Sequence, residues 1–440
     1  MNTQSSLVIL LVLFVSGCIA QTPSINTTTP DYYPTPNFTR TSSPTETTFP
    51  TETAVPSATA VASTTPLPTI EIGRTSTHDP SAEYPVITEI HMSTKTSGWA
   101  FASRGADVLV LHSTDGGNSW RDVTPPIEIW SDHIEQSERY TPPQLGEGYF
   151  FDGDRAWIPI VRIDKHMPRD IYTTRIMLAT TDGGITWQMQ RLPPEGFGEG
   201  HFPGFIDPMH GWFALFEPYT YGQSYTGLYR TVDDGESWEI VFSTPGTSSG
   251  LRAFAFGDPT TGVLTISMIG WYSGLYVRWT HDGGTNWEAQ SLPEPEDPAI
   301  SDPSMSDLDC GSIFPHAFSK FEVALLVECR MLNPEKQYVF SHYLYSTEDG
   351  GLSWQSSPAP SGRLHLINPD TGWILGKEIH FTDNGGETWT KINEVAWEGQ
   401  FSFIDANHGW AVARNAEEIA LVKTEDGGQS WAIVEPRLLP

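Results

Sequence analysis

Positive charge is what this 440-residue chain has least of: 24 Lys and Arg stand against 54 Asp and Glu, a net charge of −30. Such a surface repels nucleic-acid phosphates and anionic lipid headgroups, so neither is an expected partner. Cysteine is scarce, with only Cys18, Cys310 and Cys329, and no catalytic-cysteine pattern surrounds them. Long apolar runs are missing too. The one at residues 7–15 is too short to cross a bilayer and has the length of an export-signal core. There is no P-loop, no Gly-x-Ser-x-Gly elbow and no His-Glu-x-x-His spacing. His133 and His166 fall in different connections and read as surface histidines, so no metal and no cofactor are expected.

What the chain does have is a repeat. Thr or Ser, any residue, Asp, any residue, Gly, two more and Trp recur at residues 113–120, 180–187, 231–238, 280–287, 347–354, 382–389 and 424–431. The acidic place is held by Asp115, Asp182, Asp233, Asp282, Asp349 and Asp426, with Asn384 in the sixth copy. An Asp side chain accepts bonds from nearby backbone N–H groups, and the glycines supply positive φ. The Trp then starts an outgoing strand with a large apolar anchor. Asn makes the same kind of turn, so the sixth copy is expected to fold like the rest. A calcium loop would need alternating oxygen ligands and a closing Glu, which the repeat lacks.

Around each turn lies a longer repeat of four short strands, clearest at residues 401–405, 409–413, 419–424 and 431–434. A Gly-Trp pair or a near equivalent opens the second strand: Gly98-Trp99, Ala156-Trp157, Gly211-Trp212, Gly262-Val263, Gly372-Trp373 and Gly409-Trp410, with Glu322-Val323 expected in the fifth unit. One such unit cannot cover its own faces and must stack in a ring. The fold class is therefore all-β: a seven-bladed β-propeller of four-stranded antiparallel blades at residues 84–440. The Gly-His and Trp-Asp signature of WD40 repeats is absent.

These turns resemble the Asp-box, or bacterial neuraminidase repeat, of sialidases, xyloglucan-active glycosidases and sortilin-type receptors. The grammar of Phe403-Ile404-Asp405, then Gly409-Trp410-Ala411-Val412, then Asp-Gly-Gly-x-Ser-Trp is most similar to photosystem II assembly factors. That resemblance implies a non-enzymatic scaffold that binds polypeptides. The sialidase Arg-Ile-Pro motif is missing, since Arg162-Ile163 and Arg175-Ile176 are followed by Asp and Met.

Ahead of the ring, Val15-Ser16-Gly17-Cys18 resembles a bacterial lipobox, with Cys18 as the lipidated residue closing a signal at residues 1–18. Residues 19–83 are Thr, Ser and Pro-rich, a composition that cannot offset ordering entropy and reads as a linker. The membrane is thus expected as a partner only through the anchor, and the protein as an extracytoplasmic monomer. Residues 69–72 are a candidate edge strand for closing the ring. Cys310 and Cys329 are close enough in sequence for a cross-strand bridge in blade five, the alternative being two separate buried thiols.

In a propeller, the turn between strands three and four shares one face with the link between strands one and two. The long insertions, residues 122–146, 163–174, 216–226 and 291–309, fall on the opposite face. Of 16 Trp, Trp130, Trp271, Trp279 and Trp397 lie off the repeat. Trp130, Tyr219, Tyr221, Trp271 and Tyr272 form the candidate site, because rings with scattered carboxylates suit a glycan or polypeptide. The competing reading has such rings pinning loops to their scaffold. Glu128, Asp132, Glu135 and Glu138 supply the alternative function, a secreted glycosidase with a carboxylate pair.

Overall fold

The computed structural model describes residues 85–126, 140–163, 172–192, 200–220, 223–243, 249–268, 276–295, 297 and 306–439, along parts of some strands by backbone alone. Seven antiparallel sheets follow one another along the chain, each built in sequence order. Together they make a seven-bladed β-propeller. Blade one runs Val86–Met92, Gly98–Arg104, Asp107–Ser113 and Ser119–Asp122, and blade seven runs Glu398–Phe403, Gly409–Arg414, Ile419–Thr424 and Ala432–Val434.

Each blade is covered on both faces by its neighbours, so its second strand is apolar without alternation. Trp99, Trp157, Trp212, Trp373 and Trp410 are wholly buried. The fourth strands, such as Gln188–Arg191 and Glu239–Ser243, carry the polar outer edge. Between blades, the second-strand Trp stacks on the first strand of the next blade: Trp157 on Phe205 at 3.7 Å, Trp212 on Phe256 at 3.6 Å and Trp373 on Phe403 at 4.0 Å. The glycine before the Trp has a steric reason. A Cβ on Gly211 or Gly409 would come within 2.6 Å or 2.5 Å of the Phe205 or Phe403 ring.

Among the described residues the ring closes without a strand exchanged into the last blade. Trp410 Nε1 donates to the Gly116 carbonyl at 3.0 Å, and the Gln400 amide both accepts from Ile90 N–H at 2.8 Å and donates to Ile90 C=O at 2.9 Å. The chain end Arg437–Leu439 then adds a parallel fifth strand beside Ser119–Asp122. The expected edge strand at residues 69–72 lies outside the described residues.

Blade five corrects one expectation. Its second strand pairs Val323 with Thr347, as Gly98 pairs with Ser113, so Val323-Ala324 and not Glu322-Val323 fills the Gly-Trp place. Blade four, where Val263 replaces the Trp, recovers the volume from across the strand pair. Trp279 lies opposite Val263 and reaches the blade-five turn, where a Cβ on Gly351 would meet its ring at 2.5 Å. Trp397, also off the repeat, is core, stacked on Phe401 and edge-on to Trp431.

Candidate functional site

The end of the ring that carries the repeated turns is bonded internally. In all seven copies the leading hydroxyl accepts the N–H four residues on at 2.8 to 3.0 Å. It donates in turn to Oδ1 of the Asp or Asn at 2.7 to 3.0 Å. That Oδ1 also accepts the N–H four residues further on at 2.8 to 3.1 Å. The second oxygen takes a side-chain donor, as from Thr186 to Asp182 at 2.7 Å, whereas Asn384 Nδ2 donates to Thr388 Oγ1 at 2.9 Å. Bonds from the Asn286 backbone and side-chain amide hold Asp282 down to about 2. Carboxylates so committed have little left for a ligand. In blade three Asp234 takes the first glycine's place at φ 61°, a left-handed conformation Asp tolerates.

The first strands converge on the ring axis. Opposite the Trp position of each blade stand His91, Tyr149, Gly204, Ala255, His316, His365 and Ser402. Several reach the first strand of the next blade: Tyr149 Oη donates to Phe205 C=O at 2.7 Å, His365 Nε2 lies 3.3 Å from Phe403 C=O, and Ser402 Oγ accepts Met92 N–H at 2.9 Å. These bonds satisfy inner backbone groups that no fifth strand could cover.

Two residues earlier come Glu89, Arg363 and Gln400, and Glu147 lies between the short strands Gln144–Leu145 and Tyr149–Phe150. Arg363, on an innermost strand, and Glu147, between two of them, are both exposed, so the axis is open to solvent at this level. Enclosure by the surrounding strands, together with the charge of Glu89, raises the Glu147 pKa, and Arg363 works against both. Burial, with His365 and Arg363 adding, pushes His316 down to about 4.

Opposite the turns, the rim is uneven. Hairpins between second and third strands all begin at a turn, from Gly211 paired with Thr231, Val323 with Thr347 and Gly372 with Thr382. Blade three then climbs to Thr220 paired with Gln223 and blade five to Leu332 paired with Tyr338, while blade six stops at Leu375 paired with Ile379. Six further residues at about 3.3 Å each raise the tall hairpins by roughly 20 Å. On blade five Tyr338 and Phe340 are 54% and 53% exposed, and Leu308 on the adjoining strand and Tyr276 in blade four are exposed too. Arg330 lies over the Tyr338 ring at 5.5 Å and pairs with Asp309 at 2.6 Å. Cys310 and Cys329, bonded at 2.04 Å and directly opposite in register, tie this hairpin to its inner strand near where it leaves the ring.

Of the candidate ligand residues, Trp130, Tyr221, Trp271 and Tyr272 lie outside the described residues, as do Cys18, the carboxylates at 128, 132, 135 and 138, His133 and His166. Tyr219 is on the strand Gly211–Thr220, described there by its backbone. The presumed loop at residues 216–226 is mostly hairpin, since only residues 221–222 separate its two strands. Sequence reading missed Tyr338, Phe340 and the axial groups. The apolar run Tyr338-Val339-Phe340, placed before the usual start of a third strand, was the signal for the first pair.

No protein-family model matches the chain, and no curated protein matches it. Solved structures do. The chain is similar to YCF48 bound to D1 peptide (15% identity, 77% of this chain and 91% of that one, TM-score 0.45) and to YCF48 from Cyanidioschyzon merolae (16%, 78% and 96%, TM-score 0.45). It is also similar to polysaccharide lyase Uly1 (8%, 79% and 91%, TM-score 0.47). At these identities the likeness is one of fold.

Proposed function

We propose that the protein is an exported, lipid-anchored binding propeller that holds an extended polypeptide or glycan against the tall side of the rim, without cleaving it. The observation that carries this reading is the blade-five hairpin. It presents exposed Tyr338 and Phe340 on the face opposite the internally bonded turns. Burying one ring contributes about 1 to 3 kcal/mol, so two or three suffice for a shallow site. The Cys310–Cys329 bond limits the ordering entropy that binding would otherwise cost. Trp130, Tyr219, Tyr221, Trp271 and Tyr272 belong to the same face in this reading, with Cys18 as the anchor.

The test is a peptide and glycan array probed with the full chain, then with Tyr338→Ala combined with Phe340→Ala. Affinity for any hit should fall at least about tenfold, given the apolar area removed. Unchanged affinity would remove the site. Turnover of an arrayed glycan, lost on replacing Glu128, Asp132, Glu135 or Glu138, would establish the glycosidase instead. For the anchor, Cys18→Ala should move the protein from the membrane to the soluble fraction.

A further inference from the structure

The axial level that holds Arg363, Gln400, Glu89 and Glu147 divides into two kinds of residue. Gln400 is spent on the ring, bonded through both ends of its amide to Ile90. Arg363 and Glu147 have no such employment. Among the described residues neither forms an ion pair, although both are exposed at the axis and the charge of Arg363 reaches Glu147. Arg363 stands on blade six. Glu89 and Glu147 stand on blades one and two, across the opening. Among the described residues the one cationic partner within ion-pair distance of Glu89 is His91 Nε2, at 3.7 Å. The opening thus has a cationic wall and an anionic wall, which act on each other through charge without a direct ion pair among the described residues.

We infer that the axial opening is a ligand site of its own, for a small zwitterion that turns a carboxylate to Arg363 and an ammonium to Glu147 and Glu89. An arginine offers a planar fork that matches a carboxylate in two bonds, and the paired carboxylates offer acceptors only, which an ammonium fills with donors. A ligand with one charge meets one wall and is repelled by, or ignores, the other. A ligand with both charges, separated by the right length of chain, meets both at once and relieves the repulsion between Glu89 and Glu147. The neutral His316 and His365 rings below bring no competing charge at neutral pH. The site is independent of rim binding, since it uses none of the rim residues.

Titration calorimetry of the full chain with glycine, γ-aminobutyrate and ε-aminocaproate, against acetate and methylammonium, tests the inference. One member of the zwitterion series should bind at least about tenfold more tightly than either single-charge control. Arg363→Gln and Glu147→Gln should each weaken that member by about tenfold, the loss expected when one charged partner is removed. Glu89→Gln serves as a second acidic-wall variant should Glu147→Gln disturb folding, which circular dichroism reads. If acetate binds as well as the best zwitterion and the acidic-wall variants change nothing, the opening is an anion site and the inference fails. If no member of the series binds more tightly than both controls, it fails outright.

Discussion

The turn end of the ring and its axis face the same problem, that of backbone groups left over where strands stop or lack a neighbour, and they answer it differently. At the turns the bonds of the leading hydroxyl and of the Asp are made within eight residues, as from Thr180 and Asp182 to Gly184 and Thr186. At the axis the bonds cross blades: Gln400 serves Ile90, 310 residues away, and Tyr149 serves Phe205. Local bonding gives seven near-identical copies that can be lost one at a time. Bonding across blades makes each blade depend on the next, so damage there should spread.

The comparison breaks most visibly at the closing contact. Trp410→Ala removes a wholly buried indole and its bond to Gly116 and should cost about 3 to 5 kcal/mol by urea unfolding. Gln400→Leu, which strands both polar groups of Ile90, should cost about 2 to 4 kcal/mol. Asp182→Ala loses turn bonds near solvent and should cost only about 1 to 3 kcal/mol, with the other six turns intact. An Asp182 variant less stable than the Gln400 variant would reverse the ranking on which the comparison rests.

Acid sharpens it further, with the smallest effect. The folded pKa of His316 is about 4, below the 6.5 of the free side chain. Between those values the unfolded chain binds the proton first, so stability falls as pH drops from 6.5 toward 4. The turn carboxylates, held below their usual range, withhold their loss until pH falls under about 4. The axis should weaken first and the turns second. Replacing His316 with Gln should flatten the first phase, a change of about 1 to 3 °C in Tm across that window.

The same contrast explains what could be read in advance. The turns, the blade count and the Gly-Trp openings were legible because each is a short local pattern. Blade five was misplaced by one residue, since Glu322 precedes an apolar run as Gly does elsewhere while only pairing with Thr347 sets the register. Trp279 looked unassigned because its volume serves a position on the neighbouring strand. The axial group gathers residues 89, 147, 316, 363 and 365 from four blades, and no spacing along the chain announces it. The closing strand Arg437–Leu439 has the same character: its partner, in blade one, lies more than 300 residues earlier in the chain.

The central claim is that one end of the ring is structural and the other binds. Its most direct test is the affinity of an array-identified ligand for the full chain, for Asp182→Ala and for Tyr338→Ala with Phe340→Ala, all measured well below the melting temperature of the weakest variant. The account predicts wild-type affinity for Asp182→Ala and a loss of at least about tenfold for the rim variant. A folded Asp182 variant that no longer binds, beside a rim variant that binds normally, would contradict it.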